Sequence, residues 1–373
     1  RFTTDMKDAI DSSDIVFIAV GTPIRDDGSV DVQSVLNAAS DIARHMKSYK
    51  TIVIKSTVPV GTGRQVKTVL QEVLSSRHVD IPFDVVSNPE FLREGSAVQD
   101  FLHPDRIVIG SESEHTLQIM KDVYRLNEVP FVEISIETAE MIKYASNAFL
   151  AMKITFMNEL ANVCENVGAN VQQVAQAMGM DKRISPLFLN PGPGIGGSCF
   201  PKDVRTLAQT ARVHGNPMQL MEAVIKANEW QKTKMVEKIT HVLGRDLHGK
   251  TLAILGVTFK ANTDDMREAP SLVILPELAK LGATLKVSDP QGQKEGSVRF
   301  KDIEKQLSWH NDIYEAIKHS DATIILTEWD QFKAIDFSQY ESLNAKKVLF
   351  DLRNLYRKEK LEELGFIYHG VGV

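Results

Sequence analysis

Apolar positions in the first third of the chain fall in short runs separated by longer amphipathic stretches. Residues 15–20, 51–55, 83–87 and 106–110 read as buried strands, and 32–46 and 65–74 read as helices. This alternation predicts an α/β fold with a parallel, doubly wound sheet. The strands end in polar tips bearing Gly or Pro: Gly21-Thr22-Pro23, Ser56-Thr57-Val58-Pro59-Val60-Gly61 and Ser87-Asn88-Pro89-Glu90. Open α/β sheets bind ligands at the carboxyl ends of their strands, so the three tips are expected to line one cleft.

From 136 to 243 the strand pattern disappears. Residues 136–167 contain neither Pro nor Gly, which predicts one unusually long helix stopped by Gly168. Helices are also expected over 171–178, 204–213 and 218–243. A helical segment of this size joins two domains or builds a subunit interface. After Lys250 the α/β pattern returns, with strands at 251–256, 284–287, 322–326 and 347–350 and a helix at 271–281. The expected organisation is therefore two Rossmann-like α/β domains, 1–133 and 244–373, with a helical middle domain over 134–243.

Composition removes several function classes. The 373 residues carry a formal net charge of −6 and a sequence pI near 6.0, so there is no basic footprint for nucleic acid. No apolar run approaches the roughly 18 residues of a membrane span, and no secretory pattern opens the sequence. Two cysteines, Cys164 and Cys199, do not make a disulfide framework, which points to a reducing, cytoplasmic setting. The ten histidines fall singly, without metal-ligand spacing.

The candidate chemistry centres on Gly192-Pro193-Gly194-Ile195-Gly196-Gly197-Ser198-Cys199-Phe200-Pro201-Lys202-Asp203. Pro201 reads as the opening of a helix. A thiol at that junction sits near the positive end of the helix dipole beside Lys202, and both favour thiolate. Cys199 therefore reads as a nucleophile rather than a core cysteine. Gly192, Gly194 and Gly197 satisfy G-x-G-x-x-G, but no strand precedes them and helix follows, so a dinucleotide reading fails. Lys143 and Asn147, four apart, share one face of the long helix, where a partly desolvated Lys can act as base or hold an oxyanion. With Asp203 nearby, the set fits carbonyl chemistry through a covalent thiohemiacetal or thioester. Lys260 and Arg267 follow Gly256, where a dinucleotide fold would have its glycines, and suit a phosphate instead.

The motifs taken together are specific. They are Val20-Gly21-Thr22-Pro23, Lys55-Ser56-Thr57-Val58-Pro59, Asn88-Pro89-Glu90-Phe91-Leu92-Arg93-Glu94-Gly95, Lys143 with Asn147-Ala148-Phe149-Leu150, the cysteine loop, and Phe259-Lys260-Ala261-Asn262-Thr263-Asp264-Asp265-Met266-Arg267. In these the chain resembles the nucleotide-sugar 6-dehydrogenases. Phe101-Leu102-His103-Pro104-Asp105-Arg106 and the 264–270 segment favour the UDP-glucose branch over the GDP-mannose and UDP-N-acetylmannosamine branches.

The resemblance implies oxidation of a sugar C6 alcohol to a carboxylate by two NAD⁺ without release of the aldehyde. On that pattern Cys199 carries the thiohemiacetal and thioester. Asp203, Thr57 and Glu90 arrange the hydrolytic water, and Lys143 and Asn147 hold the oxyanion or that water. Thr22, Thr57, Glu94, Ser198, Lys202 and Arg267 are the implied cofactor contacts. Glu90, Phe91, Leu92, Lys143, Asn147, Phe188, Leu189, Asn190, Gly196, Phe259, Lys260 and Arg353 are the implied sugar-nucleotide contacts. Arg183 matches an arginine that reaches across a homodimer. The family's glycine-rich strand–turn–helix is expected before Arg1, so the chain from Arg1 onward is expected to bind UDP-glucose measurably and NAD⁺ poorly. Two other classes share some of these features: a cysteine acyltransferase or hydrolase without redox chemistry, and a non-catalytic UDP-sugar-binding fragment.

Overall fold

The alternating pattern of the first third builds a five-stranded sheet, and that of the last third a six-stranded one. The structure, a computed structural model, describes residues 1–125 and 129–373. It divides into two compact units, Arg1–Asn147 with Arg205–Met218, and Ala148–Val204 with Gln219–Val373.

In the first unit the strands β1 (Ile15–Ile18), β2 (Lys50–Ile54), β3 (Phe83–Ser87), β4 (Ile107–Gly110) and β5 (Phe131–Ile134) lie side by side in chain order. β1, β2 and β3 are mutually parallel, and so are β4 and β5. β3 and β4 run antiparallel, meeting at Ser87 and Gly110, which corrects the expectation of a wholly parallel sheet. The link between them holds only the six-residue helix Ala97–Leu102, too short to carry the chain back along the sheet. The helices Gln33–His45 and Thr62–Ser76 bury Val35, Ala39 and Ile42, and Val66, Leu70 and Leu74, over Ile52 and Ile54. Their spacing of three and four is the apolar stripe of a surface helix.

The helix Ile136–Val167 has the bounds expected from the sequence. It gives its residues up to Asn147 to the first unit and the rest to the second. In the first part Ile136, Glu140, Lys143 and Asn147 are all buried, so the covered face is unusually polar.

In the second unit β6 (Thr251–Leu255), β7 (Thr284–Ser288), β8 (Leu307–Trp309), β9 (Ala322–Ile325), β10 (Val348–Asp351) and β11 (Ile367–His369) form a wholly parallel sheet ordered β11-β10-β9-β6-β7-β8. This is the doubly wound order in which the winding reverses between the first and fourth strands. The reversal therefore lies between β6 and β9. Gly256 leaves β6 with φ +89°, and a Cβ there would stand 2.4 Å from Thr327 Cβ, so that turn requires glycine. β8 and β11 escaped the sequence reading because each is only three residues long.

Candidate active site

The glycine loop of the second unit is held by amide side chains from two helices. Asn158, on the long helix, accepts from Gly192 N–H at 2.8 Å, and Gln231 Nε2 donates to Gly192 O at 2.9 Å. Asn228 accepts from Ile195 N–H at 2.6 Å and donates to Ile195 O at 3.1 Å. Gly197 N–H donates to Arg267 O at 2.7 Å. Residues 191–197 are buried throughout, which these bonds make tolerable. A Cβ on Gly196 would meet Glu268 O at 2.8 Å, and one on Gly197 would meet the Phe259 ring at 2.7 Å. The glycines thus permit close packing on the β6 loop, and no strand runs into them, in line with the rejected dinucleotide reading.

Cys199 ends this rigid loop. The helix after it is Phe200–Val213, so Pro201 takes the second helical position rather than the first, a correction of one residue. Asp203 N–H donates to Cys199 O at 2.8 Å, which puts Cys199 at the cap. Its thiol is free and half-buried, 3.5 Å from Ser198 Oγ. Asp203 is buried, with Lys202 Nζ 3.8 Å from its Oδ1. Upstream, Phe188 holds a left-handed backbone (φ 64°) and packs on Phe200, with ring centroids 6.1 Å apart. Leu189 is buried and Asn190 exposed. Lys153, which the sequence reading missed, pins this segment by donating to Ile184 O at 2.9 Å and Leu187 O at 2.6 Å. Arg183 stands apart, 89 % exposed and clasped to Asp181 at 2.6 Å.

At the β6–β9 reversal sit Phe259, Lys260 and Arg353. Arg353 donates to Leu326 O and Phe259 O, each at 2.8 Å, and pairs with Glu328 at 3.1 Å. Lys260 Nζ lies 5.4 Å from the Phe259 ring centroid. Arg267 turns back on Asp265 at 2.9 Å, with its side chain more than half exposed. Two carboxylates that sequence reasoning missed fix these loops. Asp289 Oδ2 accepts from Val257 N–H at 2.7 Å and Thr258 N–H at 3.2 Å. It thereby occupies the backbone donors that a dinucleotide's phosphates would need, so this sheet does not fit NAD. Asp351 accepts from Arg353 N–H, Tyr356 N–H and Tyr368 Oη, and burial pushes its carboxyl up to about 6.

The first unit brings its own set together at the strand tips. Thr22 Oγ1 donates to Thr57 O at 2.9 Å, and Ser56 Oγ donates to Val20 O at 2.7 Å, so the β1 and β2 tips adjoin as expected. Lys143, 3 % exposed, pairs with Glu90 Oε1 at 2.9 Å, and Leu92 N–H donates to Glu90 Oε2. The Phe91 ring lies near two cations, its centroid 5.5 Å from Lys143 Nζ and 4.1 Å from Arg106 Cζ. Asn147 is buried one turn beyond Lys143, and Glu94 is half-buried in the loop after β3. Lys55 was not singled out from sequence. It donates to Asn88 Oδ1 at 3.1 Å, and burial lowers its ammonium to about 8, the Glu90 charge opposing and the Lys143 charge assisting. Hydroxyls and carboxylates at the carboxyl ends of β1, β2 and β3 suit the ribose and amide groups of a nicotinamide nucleotide, so these residues fit that cofactor.

Two Rossmann-like sheets, one with a donor set for nicotinamide and one with cations at its reversal, together with a capped cysteine, define a nucleotide-handling dehydrogenase. Family models match the chain in three stretches. They are the NAD binding domain of the UDP-glucose/GDP-mannose dehydrogenase family at residues 1–127, its central domain at 137–230, and its UDP binding domain at 253–358. A UDP-glucose 6-dehydrogenase of Rhizobium meliloti is 46 % identical over 378 residues, covering 100 % of this chain and 85 % of that protein. UDP-glucose 6-dehydrogenase TuaD of Bacillus subtilis is 45 % identical, covering 100 % and 79 %. A solved UDP-glucose dehydrogenase from the archaeon Pyrobaculum islandicum is 36 % identical with a TM-score of 0.90, covering 100 % and 82 %. The chain belongs to the UDP-glucose/GDP-mannose dehydrogenase family of NAD-dependent nucleotide-sugar dehydrogenases.

Proposed function

We propose that the chain oxidises the C6 alcohol of UDP-glucose to the carboxylate of UDP-glucuronate through a covalent intermediate on Cys199. The observation that carries this reading is the half-buried Cys199 thiol at a helix cap, at the end of a loop whose backbone is locked by Asn158, Asn228 and Gln231. The names of the relatives support the substrate.

NAD, when bound, accepts a hydride from C6 in each of the two oxidations. As the first hydride leaves, the C6 hydroxyl releases its proton to water, while Lys143 and Asn147 hold the oxygen on which charge develops, the Lys143 ammonium being buried and oriented by Glu90. Cys199 Sγ then bonds to the aldehyde carbon, and the aldehyde oxygen takes a proton to give a thiohemiacetal. Loss of the second hydride and of that proton leaves a thioester. Water, arranged by Asp203, Thr57 and Glu90, attacks the carbonyl; the C–S bond breaks and the thiol is regenerated. A covalent tether keeps the aldehyde bound between the oxidations.

Phe91, Leu92, Phe188, Leu189, Asn190 and Gly196 contact the sugar nucleotide in this reading, and Phe259, Lys260 and Arg353 hold its nucleotide end. Thr22, Thr57, Glu94, Ser198, Lys202 and Arg267 contact NAD. The working unit is a homodimer in the cytoplasm. Exposed Phe149, Phe156, Val163 and Val167 along the long helix support a second copy as their cover, and exposed Arg183 serves that copy's substrate. The test follows nicotinamide absorbance with UDP-glucose, GDP-mannose and UDP-N-acetylmannosamine in turn. UDP-glucose should give two NADH per acid; turnover confined to either other sugar would overturn the substrate.

A further inference from the structure

The helix Thr62–Ser76 begins at Gly61, in a left-handed conformation, and has no cap from its own side chains. Two of its N-terminal backbone donors are satisfied from another helix. Glu140, on the long helix and 2 % exposed, accepts from Gly61 N–H through Oε2 and from Gly63 N–H through Oε1, each at 2.7 Å. Gly63 lets the carboxylate approach, since a Cβ there would lie 3.3 Å from Glu140 Oε1 and 2.4 Å from Ile136 Cγ2. The glycine turn looks like an anion cradle, and the protein fills it with its own carboxylate.

Position gives this contact its consequence. Glu140, Lys143 and Asn147 fall at i, i+3 and i+7 on one covered face of the helix. Gly61 closes the loop that starts at Ser56 and carries Thr57, whose other end is tied by Thr22. We propose that Glu140 is a positioning residue that fixes the Thr57 loop against the face bearing Lys143, and that it releases the loop when protonated. The proposal rests on the catalytic reading of Thr57 and Lys143 given above.

The charges facing Glu140 are few. Glu137 on its own helix opposes its ionisation, Arg64 on the capped helix favours it, and those two pair with each other. Burial is the largest influence and holds the carboxyl at about 7, against the two N–H bonds that favour the anion. The protonated acid turns one acceptor into a donor, so one N–H loses its full partner. Because the folded value is raised, the Glu140 contribution to stability is greatest at low pH and is lost as pH rises through about 7. The grip on the loop runs the other way. Activity and stability should therefore move oppositely across that range, which a merely structural carboxylate would not produce.

The test uses amide hydrogen exchange at Gly61 and Gly63 in the unaltered protein, corrected for intrinsic rates, between pH 6 and pH 8. Protection should rise several-fold with pH and stay flat in Glu140→Gln. The same variant should lower kcat about tenfold at pH 8, keep the Michaelis constant for UDP-glucose within about twofold, and lose the kcat dependence centred near pH 7. Protection independent of pH in the unaltered protein, or Glu140→Gln with unaltered kcat and pH profile, would overturn the proposal. Failure of the unaltered protein to oxidise UDP-glucose would count against the reading of function instead, and the exchange measurement would still decide the role of Glu140.

Discussion

Cys199, Lys143 and Arg353 are each held differently, and their substitutions should fail differently. Cys199 is held through its backbone carbonyl, with a single long contact of its thiol to Ser198 Oγ, so Cys199→Ala should leave folding and sugar-nucleotide affinity near normal while removing overall turnover by at least about 10³-fold. Loss of less than tenfold would end the covalent mechanism. Lys143 is buried and bonded to Glu90, and the proposed mechanism uses it in the chemical step. Lys143→Ala should lower kcat by about 10²–10⁴ and change the Michaelis constant much less. If the two changed together, Lys143 would be an anchor and not a participant. Arg353 holds two carbonyl oxygens at the sheet reversal, and with Lys260 it should govern affinity. Ala at either position should raise the Michaelis constant for UDP-glucose more than it lowers kcat. These side chains were singled out from sequence because motif and spacing point to them. Lys55, Glu140, Asp289 and Asp351 were not, because their partners lie 17 to 79 positions away or are backbone groups set only by the fold.

At the scale of elements, long periodic segments were read closely and short links were not. The helix Ile136–Val167 and the strand Phe83–Ser87 have the bounds the sequence predicts, since an uninterrupted run and a clear tip define each. The antiparallel β3–β4 pair was missed because direction depends on what crosses the sheet, and apolar patterning alone does not encode that. β5 was missed as well, a four-residue strand with no fully buried position to mark it. The turn into the Thr62–Ser76 helix offers a sharp test of packing. Gly63→Ala should destabilise the protein by roughly 1–3 kcal/mol, because its Cβ would overlap Ile136. Gly21→Ala, at a tip with nothing within 4 Å of the new Cβ, should change the denaturation midpoint little. Equal effects would remove the close approach of the two helices as the reason for glycine.

Across the whole molecule, the polar groups buried at the ends of strands set how stability responds to pH. Asp351 is raised to about 6 by burial, so its contribution is present below the unfolded value near 4 and lost as pH rises through about 6. Denaturant unfolding from pH 4 to pH 7 should show a decline from this residue of a few kcal/mol at most, on the order of the shift itself. Asp351→Asn should flatten that part of the curve; an unchanged slope would mean that another group titrates there. Association belongs to the same scale. On the proposed homodimer, Phe156→Glu, placed on the exposed apolar stripe of the long helix, should shift sedimentation from dimer toward monomer while leaving the unfolding midpoint within a few degrees. An unaltered dimer would move the interface off that stripe.

The covalent step is tested most directly by mass analysis of peptides from Asp203→Asn after an acid quench during turnover with UDP-glucose and NAD⁺. Slowed hydrolysis should leave a UDP-glucuronyl group on the peptide containing Cys199, none on Cys164, and none when NAD⁺ is omitted. Steady production of UDP-glucuronate with no adduct on Cys199, together with turnover in Cys199→Ala, would contradict the account.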